Sequence, residues 1–402
     1  MQSVSRPVDQ ANAARLPRRD RSLDGLRGLA AMVVVIHHSL LVIPAFAAPY
    51  DGIRAAPSIA WLTYSPLHVV WAGREAVYVF FILSGLVLTA SVMKSPAFSW
   101  VAYYPSRLLR LYLPVWASIG VAVLLMTFVP REFGVGDSSW VRGHDEIVTG
   151  PSVLRDAVLV TGTSGINSAL WSLRWEVIFS VLLPLVVLVA VKFQHLWHVV
   201  VAASLLAVAA GTALNVTALQ FLPLFFVGAI MAPHLERLRR LGALIDLLKR
   251  PALTWAGLFV GAVFLTTSYW TLSLISGRGI FRLAAVLEVV GAGLLVALAI
   301  VMPTLKRALE SRLVLFLGGI SFSLYLVHEP IVVAISELLP AGSKAWTLML
   351  AVPVSLAVAY AFFKAVEGPS HKLSRRVHDF LIASGPASRV TQPAQKGTPH
   401  AG

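Results

Sequence analysis

Runs of about twenty predominantly apolar residues recur along this chain, each long enough to cross a hydrocarbon layer as a helix. They begin near Leu26, Val70, Leu108, Ala169, His195, Ala218, Ala252, Phe281, Leu313 and Trp346. Within lipid a helix satisfies its own backbone polar groups, so the repeated runs dictate an all-α, polytopic bundle of about ten spans. Composition agrees: 57% of the 402 residues are hydrophobic and 13% charged, where a water-soluble domain carries roughly a quarter charged residues. The fifth and sixth runs are separated by little more than Asn215 to Thr217, the pattern of a tight hairpin.

Lys and Arg crowd the N-terminal segment, the even-numbered connections and the C-terminal segment, and are sparse in the odd-numbered connections. The positive-inside rule then places both termini in the cytoplasm. That distribution accounts for the net charge of +14 without a nucleic-acid partner. The absence of cysteine excludes disulfides, thiolate metal sites and cysteine nucleophiles, so covalent chemistry would use Ser, Thr, His, Lys or a carboxylate. No metal site and no bound cofactor is expected.

Residues 1–21 read as a disordered cytoplasmic tail, 22–367 as one membrane domain and 368–402 as a basic, largely disordered cytoplasmic tail. Ala45-Phe46-Ala47 resembles a signal-peptidase site, but the preceding run is long and contains Arg27, His37 and His38, so it is read as a retained span. The longest connection, Arg131 to Ser168, lies outside and is expected to be a structureless lid or acceptor-facing segment.

Ionisable groups within spans cost at least about 2.5 to 3.5 kcal/mol at the helix centre and mark function. In the first span, Arg27 and His38 are eleven steps of about 100° apart, which returns them to one stripe with a rise of about 16 Å. His37 points about 100° away and reads as structural. Glu176, about 10 Å below the outer boundary of the fourth span, reaches a depth comparable to that of His38. A carboxylate meeting an imidazole there can orient it as a general base. Asp24 is a second candidate for charge compensation.

Arg107 and Arg110 share a helix face at the cytoplasmic entrance to the third span, where guanidinium forks suit phosphates of a donor or of lipid headgroups. Span nine carries Ser323, Tyr325, His328 and Glu329 on one polar stretch; hydrogen bonding between helices and contact with an acceptor both fit. Ser84-Gly85 in span two permits close helix approach.

Taken in order, these residues resemble acyltransferase family 3, integral membrane enzymes that O-acylate cell-surface polysaccharides, lipids, peptidoglycan and secreted small molecules. The likeness runs from about Ser22 to Glu367. Leu23-Asp24-Gly25-Leu26-Arg27-Gly28-Leu29 with His38 is similar to the family's Arg-x10-His motif, and Phe80 to Gly85 to its second-span signature. Arg107-Leu108-Leu109-Arg110 resembles its Arg-x-x-Arg, Trp171-Ser172-Leu173 with Glu176 its fourth-span motif, and Ser323 to His328 its Ser-x-Tyr-x-x-His segment. The resemblance implies a bacterial inner-membrane enzyme that takes acyl-CoA, often acetyl-CoA, as co-substrate from the cytoplasm. Arg107 and Arg110 would hold donor phosphates, and His38 would be the general base, with Glu176, Arg27 or Asp24 orienting it or compensating charge. Ser84, Trp171, Ser323, Tyr325 and His328 would line the pocket or meet the carbohydrate, lipid or small-molecule acceptor. Direct attack and a transient acyl-histidine both fit. A transporter or flippase using buried His, Glu and Arg as a relay is the competing expectation.

Overall fold

A computed structural model describes residues 20–384, with breaks at 96–97, 135 and 274–277. The apolar runs form α1 (Arg21–Leu41), α2 (Gly73–Met93), α3 (Trp100–Phe128), α4 (Leu170–Lys192), α5 (Trp197–Leu214), α6 (Thr217–Met231), α7 (Pro251–Thr266), α8 (Arg278–Val301), α9 (Arg312–Leu338) and α10 (Trp346–Phe362). Among the described residues there is no strand. Among the described residues nine helical segments have the length and hydropathy to cross a membrane, against about ten expected; the run near Ala252 forms the shorter apolar helix α7. The protein is an all-α polytopic bundle. Asn215 adopts a left-handed conformation (φ 54°) between α5 and α6, and the side chain of Gln220 donates to the carbonyl of Gly211 across that hairpin.

Glycines set how closely the central helices meet. A Cβ placed on Gly28 or Gly318 would overlap backbone atoms of Gly318 and Asp24 respectively, so α1 and α9 cross with backbones in contact, and one on Gly25 would overlap Leu309 just before α9. The same holds where Gly85 of α2 meets Phe225 and Gly228 of α6 meets Ile82. Small residues permit this approach where no water-driven force separates lipid from protein. It brings the polar stripes of α1 and α9 side by side.

Helix α3 starts two turns before the expected Leu108. The Ser99 hydroxyl accepts the Ala102 N–H at 3.2 Å and caps the helix, and Pro105 removes only one intrahelical bond near the start. Arg107 is therefore seven residues, about 10 Å, along the helix rather than at its entrance.

The 131–168 connection is not structureless. It contains short helices at Ser139–Arg142 and Gly150–Val158, the second opened by a capping box between Thr149 and Ser152. Arg131 donates to the carbonyls of His144 and Gly165 at 2.9 Å and of Ile166 at 3.1 Å. Pro330 lies inside the continuous helix α9, and a proline lacks the N–H that would satisfy the carbonyl four residues earlier. That carbonyl belongs to Leu326, and the Asn167 side chain donates to it at 2.9 Å. The connection thus docks as a cap on the open carbonyl of α9.

The segment expected to be a largely disordered tail begins as a helix, α11 (Gly368–Ala383), after a π-helical turn at Phe363–Glu367. Two serines one turn apart hold it on α3: Ser370 donates to the Leu109 carbonyl at 3.1 Å and Ser374 to the Ser106 carbonyl at 2.7 Å. Residues 1–19 and 385–402 of the two expected tails lie outside the described residues.

Candidate active site

A cavity of about 970 Å³ penetrates the bundle from the end where α1 begins. Asp24, Arg27, Ser84, Arg107, Arg110 and Glu176 line it. They come from four helices, and the glycine-mediated crossings explain why side chains so distant in sequence face one space. Ser172 and Tyr325, whose hydroxyls lie 2.7 Å apart, also line it.

Glu176 and His38 take separate partners. The Glu176 carboxylate receives the Arg107 guanidinium, which also donates to the Ser180 hydroxyl at 3.3 Å. The early start of α3 makes this possible, since it carries Arg107 into the membrane far enough to meet α4. Arg174 lies over the Trp175 ring instead. Asp24 pairs with Arg27 at 3.6 Å, about 21 Å along α1 from His38. Neither carboxylate therefore orients His38, contrary to the expectation from depth and helical phase.

That position belongs to His328. His38 Nδ1 is 3.0 Å from His328 Nε2, and the rings stack with centroids 5.0 Å apart. On its other edge, His328 Nδ1 is 2.8 Å from the Tyr325 carbonyl and 3.1 Å from that of Leu324. Carbonyls only accept, so Nδ1 of a neutral His328 carries the proton and Nε2 is the acceptor. His38 then donates through Nδ1–H, which leaves its Nε2 lone pair available as a base. The tautomers follow from the hydrogen-bond network.

His37 is structural, as its helical phase indicates. Its Nδ1 is 2.9 Å from the Trp71 carbonyl, and its ring fills the space beside Gly73.

The cap supplies groups that the sequence did not single out. Trp140 stacks on His38 with centroids 5.1 Å apart. His144 holds the Trp140 carbonyl through Nδ1 at 2.8 Å and Glu329 through Nε2 at 2.5 Å. The Ser168 N–H donates to the other Glu329 oxygen at 3.1 Å. Trp140 and His144 occur in a polar, mixed-charge connection without periodicity, so nothing local distinguishes them. A second ionic group, the part-exposed Arg74 with the buried Glu75 and Glu288, also escaped the sequence reading; Arg74 donates to both Glu288 oxygens at 3.0 and 3.1 Å.

The remaining expected residues divide between cavity and scaffold. Trp171 packs against Phe221 at 5.0 Å between centroids and against Phe81. Ser323 is fully buried and bonds Glu367 through its hydroxyl and its N–H, at 2.5 and 3.1 Å, anchoring the π-helical turn. Tyr325 stands between cavity and histidines: it lines the former, and its ring lies 5.7 Å from that of His328. Among the described residues no group of three or more His, Asp or Glu side chains forms a metal-binding cluster.

A family model described as an acyltransferase domain matches residues 20–364. No curated protein and no solved structure matches the chain. The matched range contains Asp24, Arg27, Ser84, Arg107, Arg110 and Glu176 of the cavity, the histidine pair and the cap, and the chain belongs to acyltransferase family 3.

Proposed function

We propose that this membrane acyltransferase is an O-acyltransferase, moving an acyl group, in the simplest case acetyl, from acyl-CoA to a hydroxyl of a carbohydrate, lipid or small-molecule acceptor. The observation that carries the reading is the His38–His328 pair, which fixes an unprotonated Nε2 on His38. It sits between a basic cavity on one side and a cap bearing Trp140 and His144 on the other. With the cavity mouth in the cytoplasm, as the positive-inside rule requires, the donor enters from inside and the acceptor meets His38 from the cap side.

In the transfer step His38 Nε2 removes the acceptor's hydroxyl proton as the oxygen attacks the thioester carbonyl carbon. The carbon–sulfur bond breaks, and the proton passes from the imidazolium to the leaving thiolate, giving ester and free thiol. His328 keeps the imidazole in the required tautomer throughout. Tyr325, hydrogen-bonded to Ser172 at the cavity wall, lies beside His328, so the thioester would reach His38 past that contact. An acyl-histidine route would use the same Nε2 atom.

Mass spectrometry of surface glycans, lipids and secreted metabolites from cells with and without the gene tests this reading. A product heavier by one acyl group only when the gene is present is expected. Identical profiles, with the protein expressed and inserted, would contradict it.

A further inference from the structure

Helix α11 lies beyond the residues that the family model matches, yet it forms part of the cavity wall. Its serines at 370 and 374 fasten it to the turn of α3 that carries Arg107 and Arg110. His371 and Arg375, also one turn apart, line the cavity. His371 is held by Glu367 at 3.6 Å. Arg375 forms no ion pair among the described residues.

The charge balance of the cavity indicates what Arg375 is for. Seven arginine and lysine side chains line it against four carboxylates, and each carboxylate is already engaged. Glu176 holds Arg107, Asp24 holds Arg27, and Asp20 is shared by Arg239 and Lys306 at 3.5 and 3.4 Å. Glu367 is bound to Ser323. The surplus positive charge includes Arg21, Lys94 and Arg375, which line the cavity from three separate segments and form no ion pair among the described residues. Arg375 is eight residues, about 12 Å, along the helix from Glu367. An elongated ligand could thus place an anionic group at Arg375 and an uncharged end beside Tyr325 and Ser172.

We propose that α11 is a phosphate clamp, in which Arg375 binds the phosphates of the donor's nucleotide portion at the cavity mouth. This rests on the acyl-CoA reading above. Guanidinium forks match phosphate oxygens and retain their charge at any working pH. The same chemistry would suit a lipid headgroup phosphate, and the experiment separates the two.

The test measures binding of CoA and of pantetheine, which lacks the nucleotide, to the full chain in nanodiscs of zwitterionic lipid and of mixed anionic lipid. Arg375→Ala should weaken CoA about tenfold in both membranes, as expected for loss of a charge-assisted hydrogen bond. Pantetheine binding should stay within twofold, and Arg375→Lys should recover part of the CoA affinity. Unchanged CoA affinity in a folded Arg375→Ala protein, or equal losses for both ligands, would overturn the clamp. A loss seen only in anionic membranes would assign Arg375 to lipid headgroups. Failure of the unaltered protein to bind CoA would instead remove the acyl-CoA reading itself.

Discussion

His38 Nδ1 and His328 Nε2 face each other at 3.0 Å across the α1–α9 crossing, with ring planes 15° from parallel. The backbone carbonyls behind His328 make it an acceptor, so one histidine fixes the protonation pattern of the other. A carboxylate is the more familiar partner for such a base. A neutral imidazole does the same work without placing a second charge in the membrane interior, where charges are costly.

His328→Ala removes the acceptor for His38 Nδ1–H and frees the ring to turn. Acyl turnover is expected to fall about a hundredfold in kcat, within the range of general-base contributions, with donor KM little changed. A rise in KM at constant kcat would instead make His328 a binding residue. Steady-state kinetics on acyl-CoA distinguish the two.

Arg107 has a structural duty that its spacing with Arg110 does not reveal. Arg107→Ala leaves the half-buried Glu176 without its ion-pair partner, a change that costs about 1 to 3 kcal/mol for a partly desolvated group that loses its partner. A marked loss of thermal stability is expected, with substantial recovery when Glu176→Gln is added. Arg107→Ala with unchanged stability would show that the pair bears no load. Arg110 is the cleaner site for testing donor phosphates.

Asn167 matters because of Pro330. Asn167→Ala leaves the Leu326 carbonyl without its donor, a loss of about 1 to 3 kcal/mol. In a Pro330→Ala background the restored helix N–H supplies that bond, so the same substitution should cost much less. Equal costs in the two backgrounds, measured by thermal unfolding, would contradict the repair.

The cap is tied to the connection after α9 by Asp137 and Lys344, 3.0 Å apart. Burial acts to raise the Asp137 carboxyl, but the Gly134 N–H and Lys344 outweigh it and hold the group below its ordinary value. A carboxyl depressed in the folded state contributes stability above its unfolded value of about 3.9, lost as pH falls through the lower folded value. Amide exchange in residues 131–168 should therefore be steady near neutrality, relative to the intrinsic rate, and lose protection at the acid end. Asp137→Asn should remove that acid-dependent component; an unaltered acid profile in this variant would assign it to other groups.

The all-α polytopic class and the α5–α6 hairpin are legible because they depend on local periodicity and on turn residues. Gly85 marks a close crossing as expected, whereas the contacts at Gly25 and Gly28 emerge only from the fold. The partner of His38 is not legible: depth and phase bring Glu176 to a similar level, but they do not say which helix is adjacent. The start of α3 decided it, since the Ser99 cap begins the helix early and carries Arg107 into reach of Glu176. Pro330 is a readable sign of an open carbonyl, yet only the fold identifies Asn167 as its donor. His144 and Trp140 carry no local signal, and α11 looks like a polar tail until Ser370 and Ser374 are seen bonded to α3.

The most direct measurement is acceptor-independent turnover of radiolabelled acetyl-CoA by the purified protein in proteoliposomes, comparing His38→Ala with His37→Ala. Turnover is expected to be lost in His38→Ala and retained in whatever fraction of His37→Ala remains folded, because only His38 presents a free Nε2 beside His328. Full turnover in a folded His38→Ala protein would contradict the account.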